Sequence, residues 1–221
     1  MLITCGAHSP NPSTVSCGDV QSILRPDRRQ RPLIAVLLAS AATFLTPAPV
    51  LAQATIDGGA VEIVDGTGVT TTQPAPLAVA WPVGGILTIG NVGTGELQVI
   101  EAGAVSSLAG YIGYNAGSTG IATVTGAGSS WTNSGDGLLF VGRSGDGTLN
   151  VEDGGAVSNT IGYIGYNPVS TGIATVTGAG STWTNSFDLY VGDYGDGTLN
   201  VEAGGAVSNS TGYIGYIAGS T

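Results

Sequence analysis

Thirteen carboxylates, one arginine and a recurring set of aromatic residues are the reactive groups that residues 53–221 carry. Asp146 and Asp196, in the turns SGDG and YGDG, with Glu152, Asp153 and Glu202 nearby, raise the question of calcium. That ion takes six to eight oxygen ligands, and repeated turns can supply several. The calcium-binding nonapeptide pattern is G-G-x-G-x-D, however, and here Asp follows a single Gly, while Asp153 becomes Ala203 in the next copy of its phrase. Solvated turn acids are the expectation, and no metal-binding residue is assigned. Asp136, Asp188 and Asp193 raise a second possibility, carboxylates that share acid–base work on a glycoside. The only cation, Arg143, is replaced by Asp193 in the next copy, and a catalytic group is not expected to be lost between copies. The expectation is no catalytic residue, no cofactor and no enzyme.

Trp131 and Trp183 occupy equivalent positions, as do the tyrosine pairs 111/114, 163/166 and 213/216. Exposed aromatic ladders stack on sugar rings or act as adhesive contacts. The alternative is packing, with each Trp at a corner of the fold covering a loop. Trp131 and Trp183 are the candidates for surface contact. The charge narrows the partners further. Residues 53–221 hold thirteen acids against Arg143, a net −12, with no Lys, His, Cys or Met. Such a chain has nothing to neutralise phosphates, which excludes nucleic acid, and an anionic membrane surface repels it. No disulfide can form, which suits export in an unfolded state.

What must position these residues is a repeat. YIGYNAGSTGIATVTGAGSSWTNS (111–134) and YIGYNPVSTGIATVTGAGSTWTNS (163–186) differ at three of 24 positions, and VGRSGDGTLNVEDGGAVSN (141–159) and VGDYGDGTLNVEAGGAVSN (191–209) at three of 19. Self-similarity at this period marks a stacked array. Each long repeat contains two related halves that open on an aliphatic–Gly pair at Ile89, Ile112, Val141, Ile164, Val191 and Ile214, spaced 23, 29, 23, 27 and 23 residues. Apolar residues alternate within the halves, as in Leu149-Asn-Val151, and Gly, Asn and Asp separate the runs. A unit of three short strands with Gly corners is one coil of an all-β solenoid. Parallel pairing from coil to coil then places Leu149, Val151 and Val157 inward and Thr148, Asn150 and Glu152 outward, and five complete coils rise about 24 Å at ~4.8 Å per coil. The extra two residues of WTNSGDGLLF (131–140) over WTNSFDLY (183–190) fit a loop on one face.

The first 52 residues follow another pattern. Arg25, Arg28, Arg29 and Arg31 precede a 14-residue apolar run, too short to span a bilayer as a helix, and small residues follow. Residues 25–52 are expected to be a secretory signal peptide cleaved between Ala52 and Gln53, with 1–24 a leader from an early start. Residues 53–88 carry worn versions of the later phrases, with Asp57-Gly-Gly-Ala-Val61 set against Asp153-Gly-Gly-Ala-Val157 and Gly95-Glu-Leu-Gln-Val99 against Gly147-Thr-Leu-Asn-Val151. They are expected to supply degenerate coils and a cap, and 89–221 the regular repeats, broken off inside one.

Over residues 86–221 the phrases VGxxGxGTLNVExGGAVSN and GYIGYNxxSTGIATVTGAGSxWTN resemble the repeat shared by type V secretion (autotransporter) passengers and some PEP-CTERM surface proteins of bacteria. The resemblance implies a right-handed parallel β-helix, exported through the inner membrane and carried to the cell surface by a C-terminal outer-membrane β-barrel. No barrel strands and no PEP-CTERM anchor occur in the sequence, so the chain is expected to be the N-terminal part of a longer protein, or the product of a broken gene. That repeat carries no known catalytic residues. The implied role is structural or adhesive at the cell surface or outer membrane, or after release, with a glycan or extracellular matrix as the partner. The alternatives are a fragment of a β-helical carbohydrate-active enzyme and a PEP-CTERM-anchored surface protein.

Overall fold

In the strand Asp146–Glu152 the side chains of Leu149 and Val151 are wholly buried, while those of Thr148, Asn150 and Glu152 are half-buried. The same alternation recurs through the computed structural model, which describes residues 54–56, 58–65 and 80–221. The chain winds as successive coils of three strands. The first holds β1 (Ala54–Ile56), β2 (Ala60–Asp65) and β3 (Ala80–Pro82), and the second β4 (Ile86–Ile89), β5 (Thr94–Ile100) and β6 (Ala104–Ser107). The third holds β7 (Ala109–Ile112), β8 (Thr119–Thr125) and β9 (Ser130–Asn133), and the fourth β10 (Leu138–Val141), β11 (Asp146–Glu152) and β12 (Ala156–Asn159). The fifth holds β13 (Ile161–Ile164), β14 (Thr171–Thr177) and β15 (Thr182–Asn185), and the sixth β16 (Asp188–Val191), β17 (Asp196–Glu202) and β18 (Ala206–Ser208), after which β19 (Thr211–Ile214) opens a seventh.

Each strand pairs in parallel with its counterpart one coil away, which gives three sheets. The first takes the opening strand of every coil, the second the long middle strands, the third the closing ones. This is an all-β, parallel β-solenoid. The register joins Ile89 to Ile112, Val141, Ile164, Val191 and Ile214 in turn, the same six positions at which the sequence phrases begin. The glycine after each of them turns the chain from the first sheet into the second. Gly113 has φ 70° and a Cβ there would lie 2.3 Å from the Asp146 carbonyl oxygen; Gly165 repeats both features against Asp196. Neither the left-handed backbone nor the close approach tolerates a side chain.

The core explains why the sequence repeats every two coils rather than every one. In the third sheet the inward column reads Trp81, Val105, Trp131, Val157, Trp183, Val207. In the first it reads Leu87, Gly110, Leu139, Gly162, Leu189, Gly212. In the second it reads Leu97, Ala122, Leu149, Ala174, Leu199. From the second coil to the sixth, a coil with Trp therefore carries Gly and Ala, and a coil with Val carries Leu and Leu; the first, with Trp81, has Ala54 and Glu62 at the matching positions. The indole uses the space the glycine leaves, since a Cβ on Gly110 would lie 2.6 Å from the Trp131 ring and one on Gly162 3.0 Å from that of Trp183. Alternation of large and small residues in facing positions fills a core without voids.

One expectation about the early coils needs correction. The strand that follows Gly58-Gly59 belongs to a different sheet from the one that follows Gly154-Gly155: Ala60–Asp65 pairs with Gly95–Ile100 in the second sheet, whereas Ala156–Asn159 lies in the third, so the phrases beginning at Asp57 and Asp153 are not equivalent. A Gly-Gly turn entering a strand suits more than one corner of a three-sided coil, so the phrase alone does not set the register. The Gly95/Gly147 equivalence does hold, both glycines aligning with Gly120. The two-residue insertion also lies where a loop absorbs it, with four residues joining β9 to β10 and two joining β15 to β16. The signal peptide, its Ala52/Gln53 cleavage point and residues 1–24 lie outside the described residues.

Candidate interaction surface

The two tryptophans offered for surface contact are in the interior. Trp131 and Trp183 are both 0% exposed. They occupy inward positions in the middle of third-sheet strands, not a corner over a loop. Each indole also has a hydrogen-bond acceptor inside the core. Trp131 Nε1 donates to Ser107 Oγ at 3.1 Å and Trp183 Nε1 to Asn159 Oδ1 at 2.7 Å. Beside them runs a buried polar column, in which Ser107 Oγ donates to Asn133 Oδ1 at 2.7 Å and Asn159 Nδ2 to Asn185 Oδ1 at 2.6 Å. Neither tryptophan can touch a ligand.

A continuous aromatic column lies on the outer face of the first sheet, with its Phe140 buried, while Phe187 and Tyr194 stand exposed in the turns on either side of β16. The outward column of the first sheet reads Thr88, Tyr111, Phe140, Tyr163, Tyr190, Tyr213. In-register parallel pairing sets equivalent side chains one strand spacing apart, so rings in that column must meet. They stack at centroid separations of 5.0, 4.9, 4.9 and 4.6 Å with planes within 12° of parallel. Stacked rings cover one another's faces and leave only their edges to solvent. The ladder is therefore not a row of platforms for sugar rings.

A second column stands at the corner between the first and second sheets: Tyr114, Arg143, Tyr166, Asp193, Tyr216. Main-chain hydrogen bonds fix the coil-to-coil alignment, from Tyr114 N to Gly90 O, Arg143 N to Gly113 O, Tyr166 N to Gly142 O, Asp193 N to Gly165 O and Tyr216 N to Gly192 O. The three tyrosines stand edge-on to the ladder, with Tyr114 at 89° to Tyr111, Tyr166 at 75° to Tyr163 and Tyr216 at 72° to Tyr213. The Arg143 guanidinium lies 4.5 Å from the Tyr114 ring centroid and 5.8 Å from that of Tyr111, a cation–π contact with both members of the pair. At the matching position above Tyr166, Asp193 is buried at 5% exposure.

Burial governs ionisation here. It raises the Asp193 carboxyl above the ordinary aspartate value. Burial likewise raises the Tyr163 phenol, helped by Tyr166 and by the carboxylates of Asp193 and Asp188. Tyr190 is pushed up to about 12, first by desolvation and then by Asp188, whose Oδ2 accepts from the Tyr190 hydroxyl at 3.5 Å.

The other acids do not converge. Asp136 lies in the loop before β10, and Asp188 and Asp193 flank opposite ends of β16, so the three share no acid–base arrangement. Asp146 and Asp196 share one outward column with Thr171 between them, two coils apart. Glu101 and Asp153 border a shallow groove with Ile100, Ala102, Thr125, Gly126 and Ala127, again two coils apart. Among the described residues no three His, Cys, Asp or Glu side chains are grouped to hold a metal ion.

No family model, curated protein or solved structure matches the chain.

The sequence held a signal for the whole ladder. An aromatic residue precedes the aliphatic–Gly pair in five successive coils, as Tyr111, Phe140, Tyr163, Tyr190 and Tyr213. Reading only the near-identical Tyr-Ile-Gly-Tyr phrases finds three of these five and misses Phe140 and Tyr190.

Proposed function

We propose that residues 53–221 act as a rigid, acidic spacer at a bacterial cell surface, as part of an exported protein of the autotransporter passenger type. The observation that carries this reading is the unbroken coil-to-coil register of all three sheets, around an interior filled by its own side chains. Parallel stacking of this kind builds length at ~4.8 Å per coil and asks for no reactive group. The acidic, lysine-free surface keeps such a rod soluble and away from anionic lipid and nucleic acid. The Arg-rich segment and apolar run of residues 25–45 support export, and the passenger-type repeat phrases support the outer surface as the destination. Contact with a glycan or extracellular matrix belongs to the same proposal, and the corner column of Tyr114, Tyr166 and Tyr216 is where it would fall.

Two measurements test this together. An antiserum against the repeats should label intact source cells and lose its epitope to external protease, and the mature protein should begin at Gln53. Labelling only after lysis, with an intact Met1 terminus, would overturn the reading.

A further inference from the structure

The outward face of the first sheet is the one side of the solenoid built mostly from apolar side chains. Beside the aromatic ladder, two residues earlier in each strand, runs a second column: Ile86, Ala109, Leu138, Ile161, Asp188, Thr211. From the second coil to the fifth it is aliphatic, with Ile86, Leu138 and Ile161 half-buried. The second sheet instead points Glu96, Asp146, Glu152 and Asp196 outward, and the third Ser106, Thr132, Ser158 and Thr184. A ridge of ring edges thus lies alongside a lower aliphatic row. Contiguous apolar surface of this kind marks a contact face.

The charges at the rim of this face complement one another. Asp136 is exposed at the corner before β10, and Arg143 stands at the corner after it. The neighbours of Arg143 along its corner column, Tyr114 and Tyr166, are uncharged. A two-fold axis parallel to the solenoid reverses the strand direction of a second copy and keeps equivalent coils level. Each ladder then lies over the aliphatic row of the other copy, Phe140 on Leu138 and Tyr163 on Ile161. The Arg143 corner meets the Asp136 corner twice, once on each side of the axis. Two coils on, Phe187, 60% exposed, approaches Tyr194, 49% exposed, in the same way. At Asp188 the row turns polar, and there the Tyr190 hydroxyl of the other copy supplies a donor. An axis along the strands would instead set ridge on ridge.

We propose that the first-sheet face binds a second copy of this chain, giving two solenoids side by side, joined by their ladders and by Arg143–Asp136 contacts between copies. Five coils at ~4.8 Å and four residues at ~3.3 Å make a face about 24 Å by 13 Å, which the bordering corners widen to roughly 20 Å. Pairing buries on the order of 1,000 Å² in all, the lower end of specific interfaces. The pair therefore forms reversibly and dissociates on dilution. Pairing depends only on the first sheet and its corners, so it holds or fails independently of export.

Sedimentation equilibrium of the full chain is the test. The parent should pass from monomer to dimer over the micromolar range. Asp136→Arg and Arg143→Asp each set like charges at both rim contacts and should each weaken pairing about tenfold or more. The sixth coil already carries Asp193 at the place of Arg143, so Arg143→Asp should fold. Mixed in equal amounts, the two variants should pair with each other as tightly as the parent pairs with itself, because every rim contact is again Arg against Asp. Leu138→Glu should abolish pairing, and Thr184→Lys, on the third sheet, should leave it unchanged. The rim variants alter surface charge alone, so the mixing result stands whether or not Leu138→Glu folds. A monomer at every concentration, a mixture that recovers nothing, or equal loss in Thr184→Lys would overturn the proposal. So would a dimer indifferent to both rim variants, as stacking through the coil ends would give.

Discussion

The solenoid carries two aromatic columns that look alike in sequence and differ in kind. The inner one, Trp131 and Trp183 with Trp81 before them, is interrupted at every second coil by valine, and Trp131 and Trp183 are matched across the core by glycine. The outer one, from Tyr111 to Tyr213, is continuous, and each ring rests on the next. Inside, volume is conserved within each coil, so a coil's three inward positions vary together. Outside, only the stacking of rings along the column constrains the choice, and the adjoining corner tolerates Tyr, Arg or Asp in the same place. Copies of the repeat can therefore diverge on the surface without disturbing the fold.

Breaking the inner column should have the largest effect. Trp131→Ala is expected to cost about 3–5 kcal/mol, measured by denaturant unfolding, because a wholly buried indole leaves a cavity that its close-packed neighbours cannot fill. Gly110→Leu should cost about 1–3 kcal/mol, or more, by driving a side chain into the Trp131 and Leu139 side chains.

The outer column should respond chiefly to pH. Tyr190 titrates at about 12 in the folded chain against 10.0 ordinarily, so the native state keeps its proton where the unfolded state loses it. That stability is complete below pH 10.0 and lost as pH rises through about 12. Tyr190→Phe retains the ring stack and should flatten the alkaline decline, followed by circular dichroism across that range. Asp193→Asn should have the smallest effect, and a stabilising one. The folded carboxyl has a raised pKa, so native stability falls as pH rises from the ordinary aspartate value through the folded one. Unfolding should show the variant gaining on the parent at neutral pH, with the gap closing in acid below both values.

Much of the fold was legible because coil and phrase coincide. The aliphatic–Gly pairs mark corners that only glycine can turn, and the spacing between them is the coil itself. The inward and outward residues of β11 followed from alternation alone. Trp131 was harder to place, because its role depends on Gly110, a residue 21 positions earlier in another sheet. In Ser130-Trp-Thr-Asn133 the alternation pointed the Trp inward, but an indole fits inside so narrow a coil only when the facing position is empty. The corner pair of Arg143 and Asp193 was visible as a substitution between copies; that each stands one coil after a tyrosine in the same corner column emerged only from the register.

The most direct test of this packing is a double-mutant cycle of Gly110→Leu with Trp131→Val, which gives the third coil its neighbours' residues in the first and third sheets while Ala122 stays in the second. If the two residues share one space, the double variant should recover at least ~1 kcal/mol relative to the sum of the single losses in denaturant unfolding. Losses that add to within about 0.5 kcal/mol would contradict the shared volume and, with it, the account of why this sequence repeats every two coils.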